Sequence, residues 1–147
     1  SQVAFFSPTE VAVDPGNGDV FVTDGYGNKR VVVFDKAGKF LRQWGRQGTT
    51  AEAAAGVGGT FVNIVHCIVM ANDGLLYVCD RNGDRIQVFD RDFNFIRSFG
   101  RYGREADEFA RPQSIEIFND ELYVADMSRG LIPGMPRLVQ AGFEVRF

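Results

Sequence analysis

One histidine, His66, stands in this sequence of 147 residues. An imidazole is the side chain best able to move a proton or hold a metal near neutral pH. The other candidates for chemistry are Tyr26, in the run Asp24-Gly-Tyr-Gly-Asn, and Arg81, in the run Asp80-Arg-Asn-Gly. A phenol can polarise or deprotonate, and a planar guanidinium suits two-point contact with a carboxylate. Glu10 and Ser114, each leading an apolar run, are the remaining polar residues placed to line a site. Cys67 and Cys79 allow at most one bridge and lack C-x-x-C spacing; they read as small core hydrophobes, silent about compartment. A lone histidine does not make a protein zinc site, which takes three or four protein ligands.

The frame that could gather these residues is bounded by composition. Forty-five per cent of the chain is hydrophobic, 24% is charged and the net charge is -3, which fits a packed domain rather than a disordered one. No basic stripe points to nucleic acid. No apolar run approaches the ~18 residues of a spanning helix, and no basic-then-apolar leader opens the chain. The chain reads as soluble, and a start at Ser1 rather than Met leaves room for upstream sequence.

Self-comparison supplies the frame. Gly18-Asp-Val-Phe-Val-Thr-Asp24 returns as Gly74-Leu-Leu-Tyr-Val-Cys-Asp80 and again as Asp120-Glu-Leu-Tyr-Val-Ala-Asp126. Arg30-Val-Val-Val-Phe34 returns 55 residues later as Arg85-Ile-Gln-Val-Phe89, and Phe40-Leu-Arg-Gln-Trp-Gly45 as Phe95-Ile-Arg-Ser-Phe-Gly100. Such order at a fixed offset marks a repeat architecture. Each unit reads as four short strands, in the first Glu10 to Val13, Val20 to Thr23, Arg30 to Phe34 and Phe40 to Trp44. Gly, Asn and Asp between them suit tight hairpins. The second unit predicts strands over His66 to Met70, Leu75 to Cys79, Arg85 to Phe89 and Phe95 to Phe99. The third begins at Ser114 to Phe118 and Leu122 to Asp126. Arg137-Leu-Val-Gln and Phe143-Glu-Val-Arg-Phe147 then read either as two more strands or as an irregular tail. A short helical turn is the expectation within 101–109, and a mobile loop or lid within the small-residue stretch 48–60.

Repeated four-stranded antiparallel sheets make a β-propeller, so the fold class is all-β. The expected organisation is one partial propeller domain over 1–147, with blades at about 5–45, 61–100 and 110–147. Propellers close with ~4–8 blades. Three blades therefore call for a second chain, giving six, or for a longer chain of which this is a piece. In such a blade the turn between strands two and three opens on the same rim as the start of strand one. Tyr26, His66 and Arg81 thus share a rim of the channel, with Glu10 and Ser114 as the positions matching His66 in the other blades.

The pattern Pro8-x-x-Val-Ala-Val-Asp14, Val20-Phe-Val-Thr-Asp24 and Arg30-Val-Val-Val-Phe34 resembles the NHL-repeat family of six-bladed propellers. Residues 5 to 100 resemble in particular the peptidyl-α-hydroxyglycine α-amidating lyase domains and their bacterial relatives. That resemblance implies cleavage of a peptidyl α-hydroxyglycine to an amide and glyoxylate at zinc held by three histidines. It matches His66 to one zinc ligand, Tyr26 to an assisting base or polariser, and Arg81 to an assisting arginine that clamps the substrate carboxylate. It also implies a secreted or periplasmic setting. Two departures stand against the lyase reading: this chain has no second histidine, and Gly27 replaces a cysteine that is disulfide-bonded in the animal enzymes.

Bland alternatives stand beside these roles. His66 is either a channel residue or a satisfied core histidine, Tyr26 either a site residue or packing, and Arg81 either an anion clamp or a blade-to-blade ion pair. Asp24, Asp80 and Asp126 recur in every unit and read as turn caps; Arg30 and Arg85 read as structural. Three functions remain open: a self-associating scaffold binding a peptide or small ligand, a zinc-dependent lyase-like enzyme in which paired chains could bring two His66 together, and an inactive fragment or structural interaction module. Neither nucleic acid nor membrane is an expected partner.

Overall fold

Asp-led turns show why the strands end where they do. Asp35 Oδ1 accepts from the amides of Ala37 and Lys39, both at 2.9 Å. Asp90 Oδ1 accepts from Asp92 and Asn94 at 2.8 and 2.9 Å. These carboxylates satisfy the turn amides that no ladder can reach. Gly38 then takes a left-handed φ of 81° in the first unit, and Phe93 one of 66° in the second. A side chain is strained there, but the Phe93 ring stacks on Trp44 at a centroid distance of 3.4 Å.

The computed structural model describes residues 4–105 and 108–127 and the strand 137–140. Blade 1 is a sheet of β1 (Glu10–Val13), β2 (Val20–Asp24), β3 (Arg30–Phe34) and β4 (Phe40–Trp44), in that order. After it come β5 (Arg46–Gln47), the short helix α1 (Thr50–Ala54) and β6 (Thr60–Phe61), with β5 and β6 pairing in parallel. Blade 2 holds β7 (Val65–Met70), β8 (Leu76–Asp80), β9 (Arg85–Phe89) and β10 (Phe95–Phe99). In the third unit β11 (Pro112–Phe118), β12 (Glu121–Asp126) and β13 (Arg137–Gln140) form a three-stranded sheet. The Arg137 run is thus a strand. The Phe143 to Phe147 strand lies outside the described residues.

Two cores lie between the sheets. Phe21, Val31 and Val33 of blade 1 meet Val65, Ile68, Leu76 and Val78 of blade 2. The other face of blade 2, with Tyr77, Ile86 and Val88, meets Ile115, Leu122 and Val124 of the third sheet. Both faces of blade 2 are covered, and every residue of β8 and β9 is buried. On blade 1 the outward Val11 and Val13 remain 55% and 54% exposed.

An acid–base pair recurs in blades 1 and 2, where Arg30 bonds Asp24 and Arg85 bonds Asp80, both at 2.9 Å. In the third sheet Asp126 stands at the matching strand position. Each Asp also accepts an amide from the segment entering its blade: Phe6, Val62 and Ala110, all at 2.8 Å. These aspartates therefore clamp the incoming chain as well as the turn.

Four sequence expectations change. The 48–60 segment is built rather than loose: Thr49 and Glu52 form a capping box on α1. Arg85 Nη2 donates to the carbonyls of Thr60 and Val57 at 2.8 and 3.0 Å, and Gln87 Nε2 to Thr60 at 2.8 Å. No helix forms among the described residues of 101–109, where Tyr102 bridges Phe109 instead. Cys67 and Cys79 are buried as expected, but they are joined as a disulfide across β7 and β8, with Cα atoms 4.9 Å apart. Finally, the register aligns Glu10 and Ser114 with Cys67. The partners of His66 in the repeat are Thr9 and Gln113.

Candidate functional site

That register difference comes from β-bulges. Val65 pairs with Asp80 and Ile68 with Val78, so His66 and Cys67 together oppose Cys79. A bulge re-aims a side chain that a regular ladder would hold to one face. β11 carries the same feature, with Gln113 as the extra residue between Pro112 and Ser114. The sequence alone hides such a slip, although aligning Pro8, Val65 and Pro112 as strand starts would have exposed it.

Three blades converge on His66. Its Nδ1 lies 2.7 Å from the Gln113 carbonyl oxygen of the third sheet. A carbonyl only accepts, so Nδ1 carries the proton of the neutral ring and Nε2 is left with its lone pair. From blade 1 the Tyr26 ring stands edge-on to the imidazole, 6.2 Å between centroids. From blade 2 the Arg81 charge acts on it. Burial pushes the His66 pKa below the ordinary 6.5, the Gln113 contact opposes that, and the Arg81 charge adds to the depression. His66 is neutral at pH 7, with Nε2 available as a base or acceptor.

The turns explain how Tyr26 and Arg81 reach this place. A Cβ at Gly25 would run into the Val65 carbonyl, and one at Gly27 into the Phe6 ring. Only glycine lets the Gly25-Tyr-Gly27 turn lie so close to β7, and Tyr26 stands between them 50% exposed. Arg81 begins a 3-10 turn, Arg81–Gly83, that follows the clamped Asp80. Its backbone amide donates to the Ile64 carbonyl at 3.0 Å. Its side-chain Nε is buried with no hydrogen-bond partner among the described residues.

Glu10 is placed otherwise. Its carboxylate accepts the Ile68 amide at 3.0 Å, joining blade 1 to the inner strand of blade 2. Burial raises its pKa, the Ile68 bond offsets part of this, and Glu116 raises it further. Ser114 is half-buried in β11, next to the Gln113 that holds His66. Thus Tyr26, His66 and Arg81 come together, whereas Glu10 is spent on a backbone amide. Gln113 is the contributor that sequence reasoning missed.

Among the described residues no group of three His, Cys, Asp or Glu is placed to hold a metal ion. With one histidine in the whole chain, the donor set does not fit a three-histidine zinc centre within a single copy. No helix among those residues is long and apolar enough to cross a membrane.

Comparison with known proteins agrees with the architecture. The NHL repeat model matches residues 5–34, and a family described as a 6-bladed beta-propeller matches 60–132. Peptidyl-glycine alpha-amidating monooxygenase of Mus musculus is 39% identical over 104 residues, covering 66% of this chain and 10% of that protein. Peptidyl-alpha-hydroxyglycine alpha-amidating lyase 1 of Drosophila melanogaster is 34% identical over 86 residues, covering 58% of this chain and 16% of that protein. The chain thus spans a small part of these relatives. Virginiamycin B lyase from Staphylococcus aureus superposes with a TM-score of 0.56 at 15% identity, covering 81% of this chain and 34% of that one, a likeness of fold alone. With its repeated blades, an NHL repeat matched at 5–34 and a 6-bladed beta-propeller model matched at 60–132, the chain has the β-propeller fold.

Proposed function

We propose that the channel mouth formed by Tyr26, His66 and Arg81 binds a small carboxylate-bearing ligand, such as the C-terminal end of a peptide. One observation carries this reading: a half-buried guanidinium, its Nε without a partner among the described residues, stands beside a neutral imidazole. A buried donor left unpaired is destabilising by about 1–3 kcal/mol, and a carboxylate relieves it. His66 Nε2 accepts from a hydroxyl or amide of the same ligand, and the Tyr26 phenol donates from the open side. Calorimetric titration with glycolate tests this. Binding to the native chain should weaken at least tenfold in Arg81→Ala and recover partly in Arg81→Lys; equal binding in all three proteins would refute the site.

An amidating-lyase-like activity is the second reading, favoured by the names of the relatives and by the roles that the sequence resemblance implies for Tyr26, His66 and Arg81. Zinc is its cofactor in the resembled enzymes. Here the donors beyond His66 would come from outside one copy of the chain, so no catalytic step is assigned to metal. Purified protein without bound zinc would remove this reading while leaving carboxylate binding intact.

The remaining proposals concern assembly and setting. A blade is satisfied when both its faces are covered, as blade 2 is, and blade 1 keeps Val11 and Val13 in the open. A second copy is the proposed cover, making six blades from two sets of units at about 5–45, 61–100 and 110–147. Sedimentation equilibrium showing a folded 16.3 kDa monomer at micromolar concentration would contradict it. A secreted or periplasmic setting is supported by the Cys67–Cys79 disulfide, since such bonds persist in oxidising compartments.

A further inference from the structure

A cleft of about 280 Å³ lies between α1, the residues Asn82 to Asp84 and the segment Gly100 to Tyr102. Beside it a hollow of about 180 Å³ shares Asn82, Asp84 and Tyr102 and reaches Arg111. Neither is lined by Tyr26, His66 or Arg81, so a ligand here does not depend on the channel mouth. The walls are held. Arg85 donates to the carbonyls of Ala53 and Val57 at 3.4 and 3.0 Å, which seats α1. The Tyr102 segment is tied by the Phe109 amide, which donates to the Arg101 carbonyl at 2.8 Å. Volumes near the lower end of the ~300–1,000 Å³ typical of ligand pockets suit a small ligand.

Charges of both signs border the cleft, and they are already engaged. Arg101 Nε donates to Glu108 at 2.8 Å, and Asp84 Oδ1 accepts the Arg111 amide at 2.9 Å. The groups left to a ligand are neutral. Asn82 Oδ1 is buried without a hydrogen-bond partner among the described residues. The terminal torsion of an asparagine is broad, so with no bond holding that oxygen the amide can turn an acceptor or a donor toward the cleft. Tyr102 leaves 60% of its surface exposed. The negative face of its ring attracts weakly positive C–H groups.

A ligand that meets both demands has one face of C–H groups and a rim of hydroxyls, each able to donate and accept. A pyranose ring has that form. A nucleotide phosphate would be set against the Asp84 carboxylate. An extended peptide would meet a helix, a 3-10 turn and a loop here instead of the free strand edge it pairs with. We infer that this cleft binds a neutral carbohydrate, with one pyranose ring stacked on Tyr102 and its hydroxyls paired with the Asn82 amide.

NMR titration of the full chain tests this with maltose, cellobiose and N,N′-diacetylchitobiose, and with adenosine and acetyl-Ala-Ala-amide as the competing ligand classes. At least one disaccharide should bind with millimolar affinity, shifting the amides of Gly83 and Tyr102 and leaving the His66 ring resonance in place. Tyr102→Ala, a change at an exposed side chain, should weaken that sugar about tenfold, whereas Tyr102→Phe, which keeps the ring face, should bind it nearly as the native chain does. Asn82→Ala should weaken it about five- to tenfold. The inference is overturned if none of the three sugars binds at tens of millimolar, or if the bound sugar is indifferent to Tyr102→Ala. It is equally overturned if adenosine or the capped dipeptide occupies the same amides more tightly than every sugar.

Discussion

Blades 1 and 2 share one plan and differ in cover. Asp24–Arg30 and Asp80–Arg85 occupy matching positions, yet the Arg30 side chain is 18% exposed and the Arg85 side chain 2%. Arg30 also reaches Gln43 and the Ala4 carbonyl, exchangeable surface contacts. Arg85 instead spends its remaining donors on the carbonyls of the 48–60 segment. The plan thus fixes the acid–base clamp in both blades, and burial decides what the clamp is worth. It also leaves the position after the Asp free to change, Gly25 in one blade and Arg81 in the next, and there the candidate chemistry resides.

The largest expected effect tests that difference directly. Arg85→Ala leaves Asp80 buried and uncompensated, which should destabilise the fold by about 3–5 kcal/mol in urea unfolding. Burial already raises the Asp80 pKa, against the Val62 amide and Arg85. Arg30→Ala should lose only about 1–2 kcal/mol. Equal losses would show that cover is irrelevant to the pair. Next in size, replacing both Cys67 and Cys79 by Ala should lower stability by about 2–3 kcal/mol, measured against a thiol assay that finds no free sulfhydryl in the native chain. Gly25→Ala should follow at about 1–3 kcal/mol, because its Cβ meets the Val65 backbone, which cannot yield as a side chain can.

Sequence patterns reached the parts of this molecule that local chemistry decides. Strand positions followed from Asp and Gly turns and from apolar runs, and they set the Tyr26 turn close enough to His66 for the two rings to meet. Contacts far apart in the chain stayed hidden. The Thr49-x-x-Glu52 signature was legible, but a five-residue helix has no hydrophobic period, and the Arg85 and Gln87 bonds that hold it come from 25 to 32 residues away. The disulfide was one option for two cysteines until the bulge at His66 set them opposite each other. The same bulge moved the repeat alignment by one residue, which is why Gln113 escaped notice while Ser114 was named.

The smallest effect bears on the site itself. A folded His66 pKa below 6.5 means that the unfolded chain binds the proton more readily. That contribution to stability is therefore complete above pH 6.5 and is lost as the pH falls through 6.5 and then the folded value. In His66→Gln this part of the acid sensitivity should vanish, leaving carboxylates to govern unfolding at lower pH.

Because the chain has one histidine, its imidazole can be followed by NMR without assignment. The central claim is that Arg81 and a carboxylate ligand meet beside a neutral, Nδ1-protonated His66. Its pKa should lie below 6.5, rise in Arg81→Ala as the like charge is removed, and rise in the native chain on saturation with glycolate. A pKa at or above 6.5, unmoved by either change, would contradict it.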